Sequence, residues 1–189
     1  MTASPGAQAV ASQVKSDREQ AFAVFLSEQA GSVLRVARRL LGDEEAARDL
    51  AQDALLKAHQ SLHTFRGEAS LKTWVIRIAV NEGLKRLRRR RLKDRVTGWL
   101  RAGQSPDAGY GLSRPVNPEQ AAGVREQMEV LERALGELPA RQRTVLVLRY
   151  LEGMGVDEIA EVLGIGPGTV KTHLVRAVRR VRELGSGKR

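Results

Sequence analysis

The chain of 189 residues contains no cysteine. That absence excludes disulfide frameworks, thiolate zinc sites and cysteine nucleophiles together, and it suits a reducing cytosol. With no covalent staple available, packing alone must hold the fold. Also missing is any stretch near the roughly 18 consecutive apolar residues of a membrane-spanning helix. The N-terminal MTASPGAQAVASQVKSDREQ lacks the basic-then-apolar order of a secretory signal. It therefore reads as a flexible tail over 1–16, on a cytoplasmic protein without membrane insertion. No segment alternates apolar and polar residues long enough to argue a sheet, and no glycine–lysine phosphate loop is present for nucleotide hydrolysis.

What is present is charge, unevenly placed. The chain has 32 Lys and Arg against 22 Asp and Glu, a formal +10, which points to a polyanionic partner. From Lys85 to Arg95 there are eight bases and one acid, and from Lys171 to Arg189 seven bases and one acid. These two clusters carry more than the whole net charge. Each ends an amphipathic helix, which favours two separate phosphate contacts over one solvated face. Between the N-terminus and the first cluster, DEEAARDLAQD from Asp43 to Asp53 carries five acids and one base. A protein that merely coats DNA has no use for such a patch.

Apolar spacing divides the chain into two helical blocks, so the expected fold class is all-α. In the first, Phe22, Phe25, Leu26, Val33, Ala37, Leu40 and Leu41 mark one helix, ended at Gly42-Asp43 by a stop and an N-cap candidate. A second buries Ala47, Leu50, Ala51, Ala54, Leu55, Ala58 and Leu62 and turns Asp49, Gln52, Asp53 and Lys57 outward. After the loop 63–68, Ser70 can cap a third, with Leu71, Trp74, Val75, Ile78 and Ala79 on its apolar face and the arginine run at its far end. This block spans 17–95. From 96 to 118 periodicity is lost; TGWLRAGQSPDAGYGLSRPVNP holds four Gly and three Pro and reads as a flexible linker.

The second block, 119–185 with a short tail over 186–189, opens on a helix through Val124, Met128, Leu131, Leu135 and Leu138 that stops at Pro139. Three shorter helices follow at about Arg141–Leu151, Val156–Leu163 and Thr169–Leu184. The last two, in VDEIAEVLGIGPGTVKTHLVRA, flank a glycine-rich connection that can turn sharply, which is a helix-turn-helix pattern. Val170 and Leu174 face inward, leaving Thr169, Lys171, Thr172, His173, Arg176 and Arg180 outside. Hydroxyl, imidazole and cationic groups reach phosphates and major-groove base edges.

Three segments taken in order carry a resemblance: DEEAARDLAQDALLKAHQSL, TFRGEASLKTWVIRIAVNEGLKRLRRRR, and, after the linker, LGELPARQRTVLVLRYLEGMGVDEIAEVLGIGPGTVKTHLVRAVRRVREL. Together they resemble an extracytoplasmic-function (ECF) sigma factor of the sigma-70 family over about Ala21 to Leu184. The resemblance implies a non-enzymatic specificity subunit that binds core RNA polymerase, directs it to promoter DNA and promotes melting. No cofactor and no catalytic or metal residue is expected. Asp49, Leu50, Gln52, Asp53 and Leu56 would dock on the polymerase β′ clamp helices, and the C-terminal domain would meet the β flap. Phe65, Arg66, Lys72, Trp74, Arg77, Asn81, Lys85 and Arg88 would handle the −10 element, with a flipped base and a held single strand. Thr169, Lys171, Thr172, His173, Arg176 and Arg180 would read the −35 element. An anti-sigma factor is a further implied partner.

Departures from the family pattern are Arg48 before the Asp-Leu pair, His59 in place of an aromatic, His173 in place of an arginine, and the lack of a hydroxyl residue in Met154-Gly155-Val156. Two other readings stand beside the resemblance. GTVKTHL also resembles the output domain of LuxR-type regulators, which needs a receiver or ligand domain upstream. His59 and His63, four residues apart, could share a metal on one helix face but lack a third ligand.

Overall fold

The computed structural model describes residues 5–100 and 131–186, with side chains described over 19–94 and 131–184. Within these the chain is helical: α1 Pro5–Leu41, α2 Glu44–Gln60, a 3₁₀ turn Leu62–Thr64 and α3 Leu71–Leu100, then α4 over 131–137, α5 Ala140–Tyr150, α6 Val156–Leu163 and α7 Pro167–Ser186.

Local chemistry fixes the ends of these helices. Gly42 at φ +69° donates back to the Arg38 carbonyl and closes α1, the left-handed turn that glycine adopts without strain. The next side chain, Asp43, accepts from the Ala46 N–H at 2.7 Å and starts α2, a cap worth about 1 kcal/mol. Ser70 Oγ accepts from the Thr73 N–H at 3.0 Å and starts α3. At α6 there is no hydroxyl cap; instead Glu158 reaches back to the Gly155 N–H at 2.7 Å, and Gly164 at φ +62° ends the helix.

Two boundaries differ from the sequence expectation. Helix α1 begins at Pro5, inside the stretch read as a tail. Pro5 sits in the first turn, where its missing N–H costs nothing, and beyond Gly6 the alanine-rich run has no breaker. Helix α3 runs on to Leu100, so the first residues assigned to the linker, 96–100, are helical. The rest of that linker and the start of the helix through Val124 and Met128 lie outside the described residues.

One apolar core crosses both blocks. Phe22, Leu26, Val33, Val36 and Leu40 from α1, Ala51, Ala54 and Ala58 from α2, and Val75, Ile76, Ala79 and Val80 from α3 are continuous with Val145, Val147, Leu148, Met154, Ile159, Ala160, Val162 and Val170. Each fully buried Leu, Ile or Val contributes about 1.5–3 kcal/mol. In the gap between α1, α2 and α3 sits Gly83, where an added Cβ would stand 3.2 Å from both Leu40 Cδ1 and Leu50 Cδ2. Helix α5 packs on α1, and α6 on α3. Arg143, only 6% exposed, completes the joint: it donates to the Leu40 carbonyl at 2.7 Å and to the Gly136 and Leu138 carbonyls. A cation at the C-terminal end of α1 satisfies carbonyls that have no partner within the helix.

Candidate protein and nucleic-acid interfaces

Helix α2 builds an acidic outer face. Its buried stripe of Ala47, Leu50, Ala51, Ala54 and Ala58 leaves Asp49, Gln52 and Asp53 exposed, with Leu56 apolar and 55% exposed among them. An apolar side chain set among carboxylates suits a basic protein surface with a small hydrophobic contact. Leu50, expected on this docking face from the family resemblance, is completely buried. The periodicity that placed it in the stripe prevails, because it packs with Ala37, Leu41 and Ala47. The acidic face is tied to its neighbours by ion pairs: Asp53 with Arg86 of α3 at 2.6 Å, and Glu44 with Arg38 and Arg48. Glu82 bridges Lys57 of α2 and Lys85 of α3 at 2.9 and 3.0 Å. The Lys57 hydrogen bond, against the opposing effect of burial, holds its carboxyl below the usual carboxylate range.

Helix α3 carries the first cationic stripe. Arg77, Asn81, Lys85 and Arg88 recur at four, four and three residues, so they share one face. Asn81, Lys85 and Arg88 are exposed, as are Arg89, Arg90 and Arg91. At the start of the helix Phe65 and Trp74, both half-buried, lie with ring centroids 5.5 Å apart, and Trp74 also approaches Phe22 at 6.4 Å. Trp74 packs against the core as well as approaching Phe65, while Arg66 is exposed. Besides Lys85, which pairs with Glu82 on its own helix, two of the expected cations pair across the block boundary: Lys72 with Glu152 at 3.5 Å and Arg77 with Glu161, both acids of the C-terminal block. Sequence reasoning missed these acids because nothing in local spacing records a contact across some 80 residues.

Helix α7 carries the second stripe. Val170 is fully buried and Leu174 half-buried, while Thr169, Lys171, Thr172, Arg176 and Arg180 are exposed. The Thr172 hydroxyl donates to the Gly168 carbonyl at 2.9 Å, which leaves its oxygen as an acceptor only. His173 is half-buried, and its Nδ1 is buried with no hydrogen-bond partner. Burial first, then Arg141 and Arg176, pushes its pKa down. His59 and His63 do not converge on a ligand set: His59 faces Phe22 at 6.5 Å, and His63 Nδ1 lies 3.1 Å from the Gln60 carbonyl.

A helix-turn-helix with a cationic reader, a longer cationic helix in a separate block and an acidic helix beside it match two known domains in order. Residues 26–93 match sigma-70 region 2, and 128–181 match sigma-70 region 4. The chain belongs to the ECF sigma factors of the sigma-70 family. It is 31% identical over 173 residues to the ECF RNA polymerase sigma factor SigW of Bacillus subtilis, covering 90% of this chain and 92% of that one. To SigM of Mycobacterium tuberculosis it is 34% identical over 178 residues, 94% of this chain and 83% of the relative. The fold is similar to that of the sigma factor RpoE of Bartonella quintana, solved with the anti-sigma factor NepR, at TM-score 0.67, 28% identity and coverage of 90% and 99%. The chain is thus an RNA polymerase sigma factor, all-helical with region 2 and region 4 domains, and the LuxR reading gives way. Among the described residues no helix is long and apolar enough to cross a membrane.

Proposed function

We propose that this sigma factor acts without enzymatic activity of its own, in the cytoplasm. In this reading it docks on the polymerase β′ clamp helices through the exposed part of the α2 face: Asp49, Gln52, Asp53 and Leu56. Helix α3 then holds the non-template strand of the −10 element, with Asn81 able to donate to and accept from a base edge and Lys85 and Arg88 on phosphates. Phe65 and Trp74 form the apolar wall for an unstacked base. Helix α7 enters the −35 major groove with Lys171 and Arg176 foremost, Thr169 and Thr172 beside them, and Arg180 on the backbone. Region 4 also meets the β flap. An anti-sigma factor restrains the protein, a partner of the kind bound to the Bartonella relative in its solved structure.

The observation that carries the reading is the presence of two cationic helices in separate blocks, with an acidic face next to only one of them. A groove-reading repressor needs only the second. Run-off transcription with purified core polymerase on promoter-containing fragments tests it. Promoter-specific transcripts that depend on this protein are expected; binding to duplex DNA with no effect on, or affinity for, core polymerase would overturn it.

A further inference from the structure

Glu152 stands out among the acids. It lies in the turn between α5 and α6, and its side chain is only 1% exposed. Across the block boundary, its Oε2 accepts from the Ser32 hydroxyl at 2.5 Å and faces Lys72 Nζ at 3.5 Å. Its Oε1 is buried, accepts no hydrogen bond and faces Arg35 Nη2 at 3.7 Å. Arg35 in turn donates to Ser32 Oγ at 3.0 Å. A hydroxyl, a guanidinium and an ammonium from α1 and α3 therefore converge on one anion. With Glu152 withdrawn, the same three groups are a phosphate site, since each of these donors takes a phosphate oxygen as readily as a carboxylate.

We propose that Ser32, Arg35 and Lys72 bind a backbone phosphate of the single-stranded promoter DNA, and that Glu152 occupies this site in the free protein. Region 4 thereby guards region 2 until the two blocks part. This rests on the reading of α3 as the strand-holding helix. A second contact supports it independently: Glu161 of α6 takes Arg77, another cation on α3. Two acids of region 4 thus sit on two α3 cations that DNA needs. The guard is also built to release. A buried carboxylate with one oxygen lacking a hydrogen bond recovers little of its desolvation cost, whereas DNA brings a row of phosphates.

The test uses the full chain and a short fluorescent oligothymidylate, because a phosphate contact does not depend on base sequence. Glu152→Gln keeps the side-chain shape and removes the charge. If about nine-tenths of the free protein is closed, the variant binds the oligonucleotide up to about tenfold more tightly. Adding Arg35→Gln and Lys72→Gln in that background is expected to reverse the gain and lower the salt slope by about 0.7, one single-strand phosphate. Because the chain has no cysteine, Glu45→Cys with Val175→Cys, both at exposed positions, reports the distance between blocks by energy transfer. That distance should lengthen with Glu152→Gln. Glu161→Gln, at the more exposed contact, gives a smaller shift in the same direction and serves if Glu152→Gln lowers the helical circular dichroism signal.

Unchanged oligonucleotide affinity and unchanged transfer in both variants would overturn the guard. Gain for an oligoglutamate peptide rather than for the oligonucleotide would make the site one for an acidic protein segment and overturn the phosphate assignment. Either failure alongside promoter-specific run-off transcription leaves the sigma-factor reading standing. Failure of run-off together with no oligonucleotide binding by any variant removes both.

Discussion

The two cationic helices are kept in different states. On α7 the foremost reader residues, Lys171 and Arg176, are exposed, and among the described residues neither makes an ion pair. On α3, Lys72, Arg77, Lys85 and Arg86 are all paired with carboxylates, two of them from the other block. Under the roles proposed for the two helices, the difference teaches that reading a duplex and holding a melted strand place different demands on a protein. A groove-reading helix can be ready at all times, since non-specific duplex binding is weak and reversible. A strand-holding surface that was always open would take up any single-stranded nucleic acid by the same electrostatics. The acidic face of α2 is exposed as the α7 readers are, although Asp53 is paired with Arg86 of α3.

The sharpest way to break this comparison is to remove the acidic face while leaving both cationic helices. Asp49→Lys with Asp53→Lys should weaken core-polymerase binding at least about 100-fold, since like charges facing each other across an interface cost several kcal/mol. A fluorescence competition assay reads this, with circular dichroism checking that the chain stays helical. Arg86→Gln, which removes the pair and keeps the Asp53 carboxylate, separates the docking role from the Arg86 pair.

Next in size, the two stripes should fail in distinguishable ways. Replacing Arg88, Arg89, Arg90 and Arg91 by Gln should lower the yield of open complex and flatten its salt dependence, with duplex recognition by α7 kept. Lys171→Ala or Arg176→Ala should instead cost about 1–3 kcal/mol of specific promoter binding if the lost contact is to a base. For a phosphate contact the loss is uniform across sequences, with a salt slope lower by about one. Equal loss of duplex binding from the arginine run and from α7 would erase the proposed division.

Much of this arrangement can be read from the residues alone, and the exceptions share a physical cause. Asp43, Ser70 and Gly164 act within four residues of themselves, and helix ends set by such short-range bonds are visible in sequence. Helix α6 falls at Val156–Leu163 for the same reason. Spacing also settles Leu50, since Ala47, Leu50, Ala51 and Ala54 form one stripe. Analogy to a family's docking segment cannot tell a contact residue from a supporting one. The illegible part is the joint. Arg143, Glu152 and Glu161 make their defining contacts with residues far away in the chain, and each would pass for a surface charge by local pattern. The start of α1 at Pro5 was hidden by the absence of a strong apolar stripe, although the alanine content permits the helix.

Smaller effects sharpen the account of the region 2 frame. Gly83→Leu should destabilise by about 1–3 kcal/mol, because Leu40 and Leu50 leave no room for the added atoms. Gly83→Ala should fall nearer neutral, the tight Cβ contact being offset by a better helix propensity of about 1 kcal/mol. Denaturant titration measures both. Smallest is the pH effect of Glu82. Its folded pKa lies below the unfolded 4.5, so its stabilising contribution is complete above that value and is lost as pH falls through the lower folded one. The stability difference between wild type and Glu82→Gln should be constant above about pH 4.5 and shrink as pH falls below it.

The central claim, that one chain both reads a duplex and opens it through different helices, is tested most directly by footprinting the holoenzyme on a promoter found by run-off transcription. Protection at the −35 element should appear together with permanganate-reactive thymines at the −10 element. The Arg88 to Arg91 replacement should remove the reactivity and keep the protection. Protection with no reactive thymines in the wild-type complex, or loss of both signals together in that variant, would contradict it.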